Sequence, residues 1–594
     1  MDKKQLTFTT AESFFMTWAL SKVFSLNPGN IFNGVIFVLG MILISYIKKV
    51  ITEDKKTTRV SQIISLIFAL CIIEYGRDAY VSDLSNRLFK AIILFSVFVG
   101  LFTFFYFSLR YLFYIFADKD IGKILYNTDE ESKIQNCVFG FYSSHIQIST
   151  FVLCLICFLP YFLYQFPGIM TPDSIVQYEQ ALHITGYSNH HPWIHTLIIE
   201  LFYNLGRLFT TSDTVAASFY SIAQMCFMAF SASYVVGTLS KLKVKDGICL
   251  VFSLFYALVP YNAVFSITVW KDIPFAGIVA IFVCLLIRTD MYIKSENKSR
   301  SQTIKYITSL VVSGVGVCLF RSNGLYAFIA LTPFVIIHFK NVKKYAFGVL
   351  GAVFAIVIIF KIPIMNLCNV SSPDMVESLS IPLQQVANVL VNDREIPEAD
   401  MREIKKVVDL TYIDDLYEPT FADNVKEMVR AGDEQYLIDN KWYFAKMYLR
   451  LGAKYPADYL KAYVMQTYGY YYPDRDYYVA DAEGVVGSKL NIVTTPVIAG
   501  PVVVKAKEVL IKLGDMIPVY SLLWSMGTIF FVLIFMFGLN HVRGCKKDNI
   551  YLLPYLLLVL TVLIATPVST EFRYVYFMMF GIPVILLGRK HKKA

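Results

Sequence analysis

The stretch Trp193–Phe209, WIHTLIIELFYNLGRLF, is 17 residues long and mostly apolar, at the short limit for a helix that crosses a bilayer. Whether it crosses sets the side on which every later loop lies. After the next apolar run comes the cluster Lys241/Lys243/Lys245, and short basic clusters between apolar runs mark the cytoplasmic side. If 193–209 crossed, that cluster and all later ones would lie outside. We therefore read 193–209 as a helix lying at the outer surface.

Working outward, the chain of 594 residues is 56% hydrophobic, 16% aromatic and 17% charged. Soluble domains carry roughly a quarter charged residues, so the bilayer must be part of the solvent of this chain. That excludes a cytosolic enzyme, a secreted disulfide scaffold and a disordered protein. The ten cysteines lie mostly within apolar runs, Cys368 alone bordering a long polar region, and no disulfide framework is expected. Candidate spans are 31–47, 61–75, 88–110, 148–166, 214–238, 247–266, 273–288, 305–320, 324–339, 345–362, 515–538, 550–567 and 574–588. The expectation is an all-α polytopic membrane protein with about thirteen transmembrane helices. Segment 8–26 carries Glu12 and Lys22 and reads as an interfacial helix. No cleavable signal peptide is visible, so span 31–47 is expected to act as a retained anchor.

Alternating these spans places six basic clusters together in the cytoplasm: Lys48–Arg59, Lys241–Lys245, Arg288–Arg300, Lys340–Lys344, Arg543–Lys547 and Arg589–Lys593. The net charge of +9 is explained by this distribution, not by nucleic-acid binding. Residues 366–514 hold 16 Lys and Arg against 22 Asp and Glu, net −6, leaving +15 on the remainder. The division expected is N-terminal helices over 1–147, a core over 148–365 with a first outer loop at 167–213, a mainly helical outer domain over 366–514, and C-terminal helices with a basic tail over 515–594. The outer side then receives 167–213, 267–272, 321–323, 366–514 and 568–573.

Those outer loops hold the polar residues that spans exclude. In Thr171-Pro172-Asp173-Ser174 the threonine suits a helix N-cap and the proline its first turn. Asp173 then falls where the helix dipole favours a carboxylate, whether it only supports the helix start or does chemistry. Ile175, Tyr178 and Leu182 form an apolar stripe that would lay this helix on the membrane. Next comes Tyr187-Ser188-Asn189-His190-His191-Pro192-Trp193; with His183 and His195, this window holds four of the chain's eight histidines. HPWIH lacks the glutamate of a zinc-binding HExxH helix. No metal site and no cofactor is expected, although a divalent ion is possible; hydrogen bonding by His190 and His191 to a phosphate or sugar, or plain packing, fits better.

Three further loops bring one charge pattern to the same side: Trp270-Lys271-Asp272-Ile273-Pro274, Arg321-Ser322-Asn323-Gly324, and Thr570-Glu571-Phe572-Arg573-Tyr574. Each alone reads as a helix-end ion pair or a snorkelling anchor. Together they offer Lys271, Arg321 and Arg573 to one face, an array suited to a phosphate leaving group. In the acidic region, Tyr468-Gly469-Tyr470-Tyr471-Tyr472 and Asp474-Arg475-Asp476-Tyr477-Tyr478 read either as an acceptor groove or as tyrosines packed at the membrane. Ser380–Gln385 offers further amides.

The blocks PGIMTPDSIVQYEQA and NHHPWIHTLIIELFYNLGRLF resemble the GT-C type of membrane glycosyltransferase, which takes sugars from polyprenyl-phosphate carriers. They are especially similar to an uncharacterised bacterial multi-pass family with the same TPDS, NHHP, KDIP, RSNG and EFRY blocks. The resemblance covers residues 148–366 and 566–588. It implies seven core spans, surface helices in the first outer loop, a catalytic Asp173 and an assisting Asp272. The chain departs from better-known members in having Ser174, not a second acid, after Asp173. The implied function is transfer of a sugar from polyprenyl phosphate to a cell-envelope glycopolymer, lipid or protein, outside a bacterial plasma membrane. Asp173 would be the base; Lys271, Arg321 and Arg573 would hold the phosphate; Asp272 and Glu571 would orient these cations; His190, His191 and Asn323 would hold hydroxyls. A transporter or flippase of lipid-linked intermediates is the alternative, and a noncatalytic envelope-binding scaffold a third reading.

Overall fold

The computed structural model describes residues 3–51, 54–82, 84–117, 124–127, 137–473, 484–487 and 490–589. Among these the chain is helical, with isolated bridges and no strand. Eight helices are long and apolar enough to cross a membrane: Ile31–Val50, Lys55–Tyr80, Arg87–Ala117, Ile146–Tyr164, Asp213–Lys241, Asp272–Lys294, Arg300–Phe320 and Lys340–Leu367. A ninth is the pair Asp246–Leu258 and Pro260–Ser266, bent by 56°. Pro260 lacks an N–H and restricts Val259 before it, which breaks the helix there. Ser322–His338, Met526–Val542 and Leu553–Ala565 are shorter apolar helices. The protein is thus an all-α, multi-pass membrane protein.

By length and composition, eight or nine spans stand where about thirteen were expected. Most of the other expected spans are those shorter helices. Segment 515–538 becomes a continuous apolar helix from Met526, capped by Ser525, whose Oγ accepts from Thr528 N at 3.2 Å. Segment 574–588 is two short helices, Phe572–Phe580 and Ile582–Leu587, almost wholly buried.

Burial separates centre from rim. In Asp272–Lys294, 83% of the apolar window is covered by protein, against 17% in Ile31–Val50 and Lys340–Leu367. The first is the axis of the bundle, packed between Asp213–Lys241, Arg300–Phe320 and Phe572–Phe580. Ile31, Phe32, Leu39 and Ile42 are each about 60–80% exposed because lipid, not protein, is their solvent.

Segment 8–26 corrects the interfacial expectation. The helix Lys3–Val23 runs antiparallel to Ile31–Val50 along its length: Lys48 pairs with Glu12, and Ser13 Oγ donates to Phe37 O at 2.7 Å. Thr9 and Ser13 are fully buried. At Gly100 of Arg87–Ala117 a Cβ would strike Phe15 O, so only glycine permits the close helix approach seen there. Of the two charges that marked an interface in sequence, Glu12 faces the neighbouring helix while Lys22 stays exposed.

Residues 366–473 form a helical unit on one end of the bundle, containing Ser380–Val391, Glu398–Val407, Asp423–Ala431, Lys441–Lys454 and Pro456–Thr467. Several small apolar clusters hold it together, one around Val389, Ile404, Met447 and Leu451 and another around Val376, Val407, Val429 and Leu437. It grips the bundle through the loop before Phe572: Ala422 N donates to Pro567 O at 2.7 Å and Ser569 N to Thr420 O at 2.9 Å.

Candidate functional site

The site lies where four separated segments meet, and backbone pairing sets the first two side by side. Ile169 N donates to Ile267 O at 3.0 Å and Val269 N to Ile169 O at 2.9 Å. The chain before Asp173 therefore runs beside the chain before Lys271. Thr171 caps the helix Pro172–Ala181, its N–H donating to Ser174 Oγ at 3.1 Å. Ser174 Oγ donates on to Val269 O at 2.7 Å, and Trp270 Nε1 to Thr171 Oγ1 at 2.7 Å. These bonds lock the acid's helix to the lysine's loop.

Asp173 carries its carboxylate into this junction. Arg573 Nη1 donates to Asp173 Oδ2 at 2.8 Å, and Arg573 Nε lies 3.6 Å from Glu571 Oε1. The Arg573 guanidinium sits 4.6 Å above the Trp270 ring and 5.3 Å from that of Tyr574, a cation–π cage that fixes its plane. Arg321 stacks on the same tyrosine at 5.1 Å and pairs with the buried Asp272. Lys271 Nζ donates to His191 Nδ1 at 2.9 Å.

Partial burial alone would raise the Asp173 carboxyl. The charges of Arg573 and Lys271, and the Arg573 hydrogen bond, outweigh it and hold the group below the usual carboxylate range. Burial pushes His191 the other way, well below the ordinary imidazole value, with Lys271 adding to the effect. His191 is thus neutral and accepts from the ammonium. Burial also lowers Lys271, against the pull of Asp272 and Asp173. The site is an ionised acid among cations.

Asp173, His191, Lys271, Asp272, Arg321, Glu571 and Arg573 are brought together. His190 and Asn323 stand at the edge. The exposed His190 turns from His191, its ring edge-on at 4.7 Å, and lies near Asp374 and Glu377 of the helical unit. Asn323 Oδ1 is buried without a hydrogen-bond partner. His183 lies 3.3 Å from Glu200, while His195 hydrogen-bonds Gln177 at 2.9 Å and also Tyr220. The four histidines therefore diverge, and among the described residues no three His, Cys, Asp or Glu side chains converge to hold a metal.

Three sequence readings change. The stripe Ile175/Tyr178 packs on Ile199, Tyr203, Ala217 and Leu490, so the helix rests on protein and not on lipid. Tyr468, Tyr470, Tyr471 and Tyr472 are buried and brace the bundle; Tyr470 OH donates to Val568 O at 2.7 Å. Gln384 and Gln385 are likewise spent inside the helical unit, on Glu418 O at 2.8 Å and Tyr459 O at 3.0 Å. Asp474–Tyr478 and the tail beyond Arg589 lie outside the described residues. Sequence reasoning missed Thr171 and Trp270 as binding partners and Tyr574 as the shared cation platform. All three adjoin quoted motifs, and an indole or phenol ring next to an arginine was the available signal.

The helix Trp193–Arg207, 15 residues, is shorter than a bilayer-crossing helix needs to be. It lies along the first turns of Asp213–Lys241, with Tyr203 OH donating to Asp213 Oδ1 and His195 reaching Tyr220. Below it, a groove of about 630 Å³ runs between the membrane helices, from Phe320 and Pro274 to Tyr234 and Leu285. Phe320 and Pro274 stand one and two residues from Arg321 and Asp272, which brings one end of the groove near the site. From Pro274 to Leu285 it follows the axial helix for about 16 Å.

No curated protein and no solved structure matches the chain. A family match extends over residues 182–594 and includes every charged or histidine residue of the site except Asp173, while Thr171 and Ser174 also precede it. The chain belongs to the family of unknown function DUF6020.

Proposed function

We propose that this protein is a membrane glycosyltransferase of GT-C type that moves a sugar from a polyprenyl-phosphate carrier to an acceptor outside the cell. The observation that carries the reading is one carboxylate, Asp173, held 2.8 Å from Arg573 with Lys271 beside it and Arg321 on the neighbouring Asp272, near one end of an apolar groove. The seven spans or near-spans from Ile146 to Leu367 are the number that such a core has. Positive clusters at the opposite helix ends support an extracytoplasmic site in a bacterial plasma membrane.

In the reaction the carrier's chain lies in the groove and its phosphate displaces Asp173 from Arg573. The acceptor oxygen forms a bond to the anomeric carbon as the carbon–oxygen bond to phosphate breaks. The bonding pair leaves with the phosphate, and the acceptor proton goes to Asp173. Charge grows on the leaving phosphate, so Arg573, Lys271 and Arg321 hold the transition state more tightly than the ground state. His191 and Lys271 share a hydrogen bond that a sugar hydroxyl or phosphate oxygen can enter. Asp272 orients Arg321, and Glu571 orients Arg573. Transport is the weaker reading, because the groove is lined by no charged side chain and ionisable residues mark transport paths.

Membranes containing the protein, given radiolabelled polyprenyl-phosphate sugars and cell-envelope acceptors, test the proposal. Label should enter the acceptor with wild type and not with Asp173→Asn. Movement of intact labelled lipid across the bilayer without transfer would favour the flippase reading.

A further inference from the structure

The lysine-rich end of the bundle, opposite Asp173, holds a second cavity of about 660 Å³. It lies between the first turns of Lys55–Tyr80 and the last turns of Met526–Val542, with Leu556 on one side. Lys55, Lys56 and Arg59 stand exposed at its mouth, one helical turn carrying three cations. The acid that precedes them, Asp54, caps the helix: its carboxylate accepts from Lys56 N at 3.2 Å and Thr57 N at 3.0 Å. Lys56 Nζ also reaches across the mouth, donating to Val542 O at 3.3 Å in an exposed bond. Deeper in, Ile63, Ile67 and Phe537 give an apolar wall.

A ligand for this cavity needs an anionic head and apolar tails. We propose that it binds an anionic glycerophospholipid of the surrounding bilayer, its phosphate against Lys55 and Arg59 and an acyl chain along Ile63, Ile67 and Phe537. A free phosphate would leave the apolar wall empty. A zwitterionic lipid brings an ammonium towards three cations already in place. Basic pockets between membrane helices on the cytoplasmic side recognise lipid headgroups by this combination, and the site is independent of the chemistry at Asp173.

The test uses full-length protein in micelles doped with phosphatidylglycerol or phosphatidylcholine, with bound lipid counted by native mass spectrometry. Wild type should retain phosphatidylglycerol over phosphatidylcholine by about tenfold or more. Lys55→Gln/Lys56→Gln/Arg59→Gln should lose that preference with an unchanged melting temperature in lipid-free detergent, because the three side chains are exposed. Ile63→Trp, which fills the groove and keeps the charges, should lose it too. Lys340→Gln/Lys343→Gln/Lys344→Gln, at the same end but outside the cavity, should keep it. An unaltered preference in the first triple variant, or an equal loss in the second, would overturn the site in favour of diffuse attraction.

Discussion

Asp173 and Arg573 are 400 positions apart in the chain, and their side chains meet at 2.8 Å. The contact joins the first turn of a loop helix to the start of the buried helix Phe572–Phe580, and it fixes the centre of the candidate site. It also sets the charge state of the acid. In the proposed mechanism an ionised Asp173 would accept a proton only once its cation has another anion to hold, which would couple phosphate binding to base function.

The first prediction concerns that acid. Asp173→Asn keeps the shape and removes the acceptor of the proton, so transfer should fall about 10²–10⁴-fold, the usual worth of a positioned base. Binding of polyprenyl phosphate should persist, since Arg573, Lys271 and Arg321 remain. Turnover within a few-fold of wild type would remove Asp173 from the mechanism.

The second is a pH profile. The carboxyl of Asp173 is held below the ordinary Asp value of about 3.9, so it stays ionised as pH falls and protonates late. The acid limb of kcat/KM, which reports the free enzyme, should therefore lie below about pH 4. Arg573→Gln removes its largest opposing charge and should move that limb upward. On the other side, burial lowers Lys271. Its charge is thus lost, as pH rises, before the ordinary lysine value of about 10.4, bringing the alkaline limb in early. A wild-type acid limb above pH 5 would contradict the geometry.

The third separates structure from chemistry at Arg321. Its partner Asp272 is 1% exposed, and stripping one member from a buried ion pair costs about 3–5 kcal/mol. Arg321→Ala should lower the melting temperature in detergent markedly. Adding Asp272→Asn should recover much of that loss without restoring transfer. If the single variant melts like wild type, the pair does not hold the helix ends together.

The sequence made the membrane class and the charged loops legible because both are local: apolar runs and cationic clusters can be counted without knowing the fold. The reading of 193–209 as a surface helix followed from the side of Lys241–Lys245 alone. What stayed hidden depends on contacts between distant segments. Ile175 and Tyr178 look lipid-facing until Leu490 is packed on them. The helix Lys3–Val23 looks interfacial until Phe37 O receives Ser13. The tyrosines at 468–472 read as an acceptor groove or as packing alike until Val568 O is found above Tyr470.

The fourth prediction follows from that tyrosine. Tyr470 OH holds Val568 O at 2.7 Å and Thr566 Oγ1 at 3.0 Å, and the same loop leads into Glu571 and Arg573. Tyr470→Phe removes one of two donors to Val568 O, Thr566 Oγ1 remaining at 2.7 Å, and the acceptor of Glu571 N at 3.4 Å, a cost of about 0.5–1.5 kcal/mol, and frees the loop that aims Arg573. At Gly469 a Cβ would meet Ser569 O and the Thr570 side chain, so Gly469→Ala should push the loop outward. Both variants should lose transfer out of proportion to their loss of thermal stability. A fall in stability with full activity would show that the helical unit does not position the site.

The fifth tests the side of the membrane with a residue already present. Cys368 is the exposed one among the described cysteines, and it lies in the segment whose Ser371 N donates to Tyr187 O at 2.9 Å, beside His190 and His191. Cys545 is half-buried at the opposite end, two residues past Arg543. A membrane-impermeant maleimide should therefore label intact cells at Cys368, and Cys368→Ala should abolish the signal. Should labelling of Cys368 require permeabilised cells, the pocket around Asp173 faces the cytoplasm. The positive clusters would then lie outside, and an extracytoplasmic acceptor could not reach the acid.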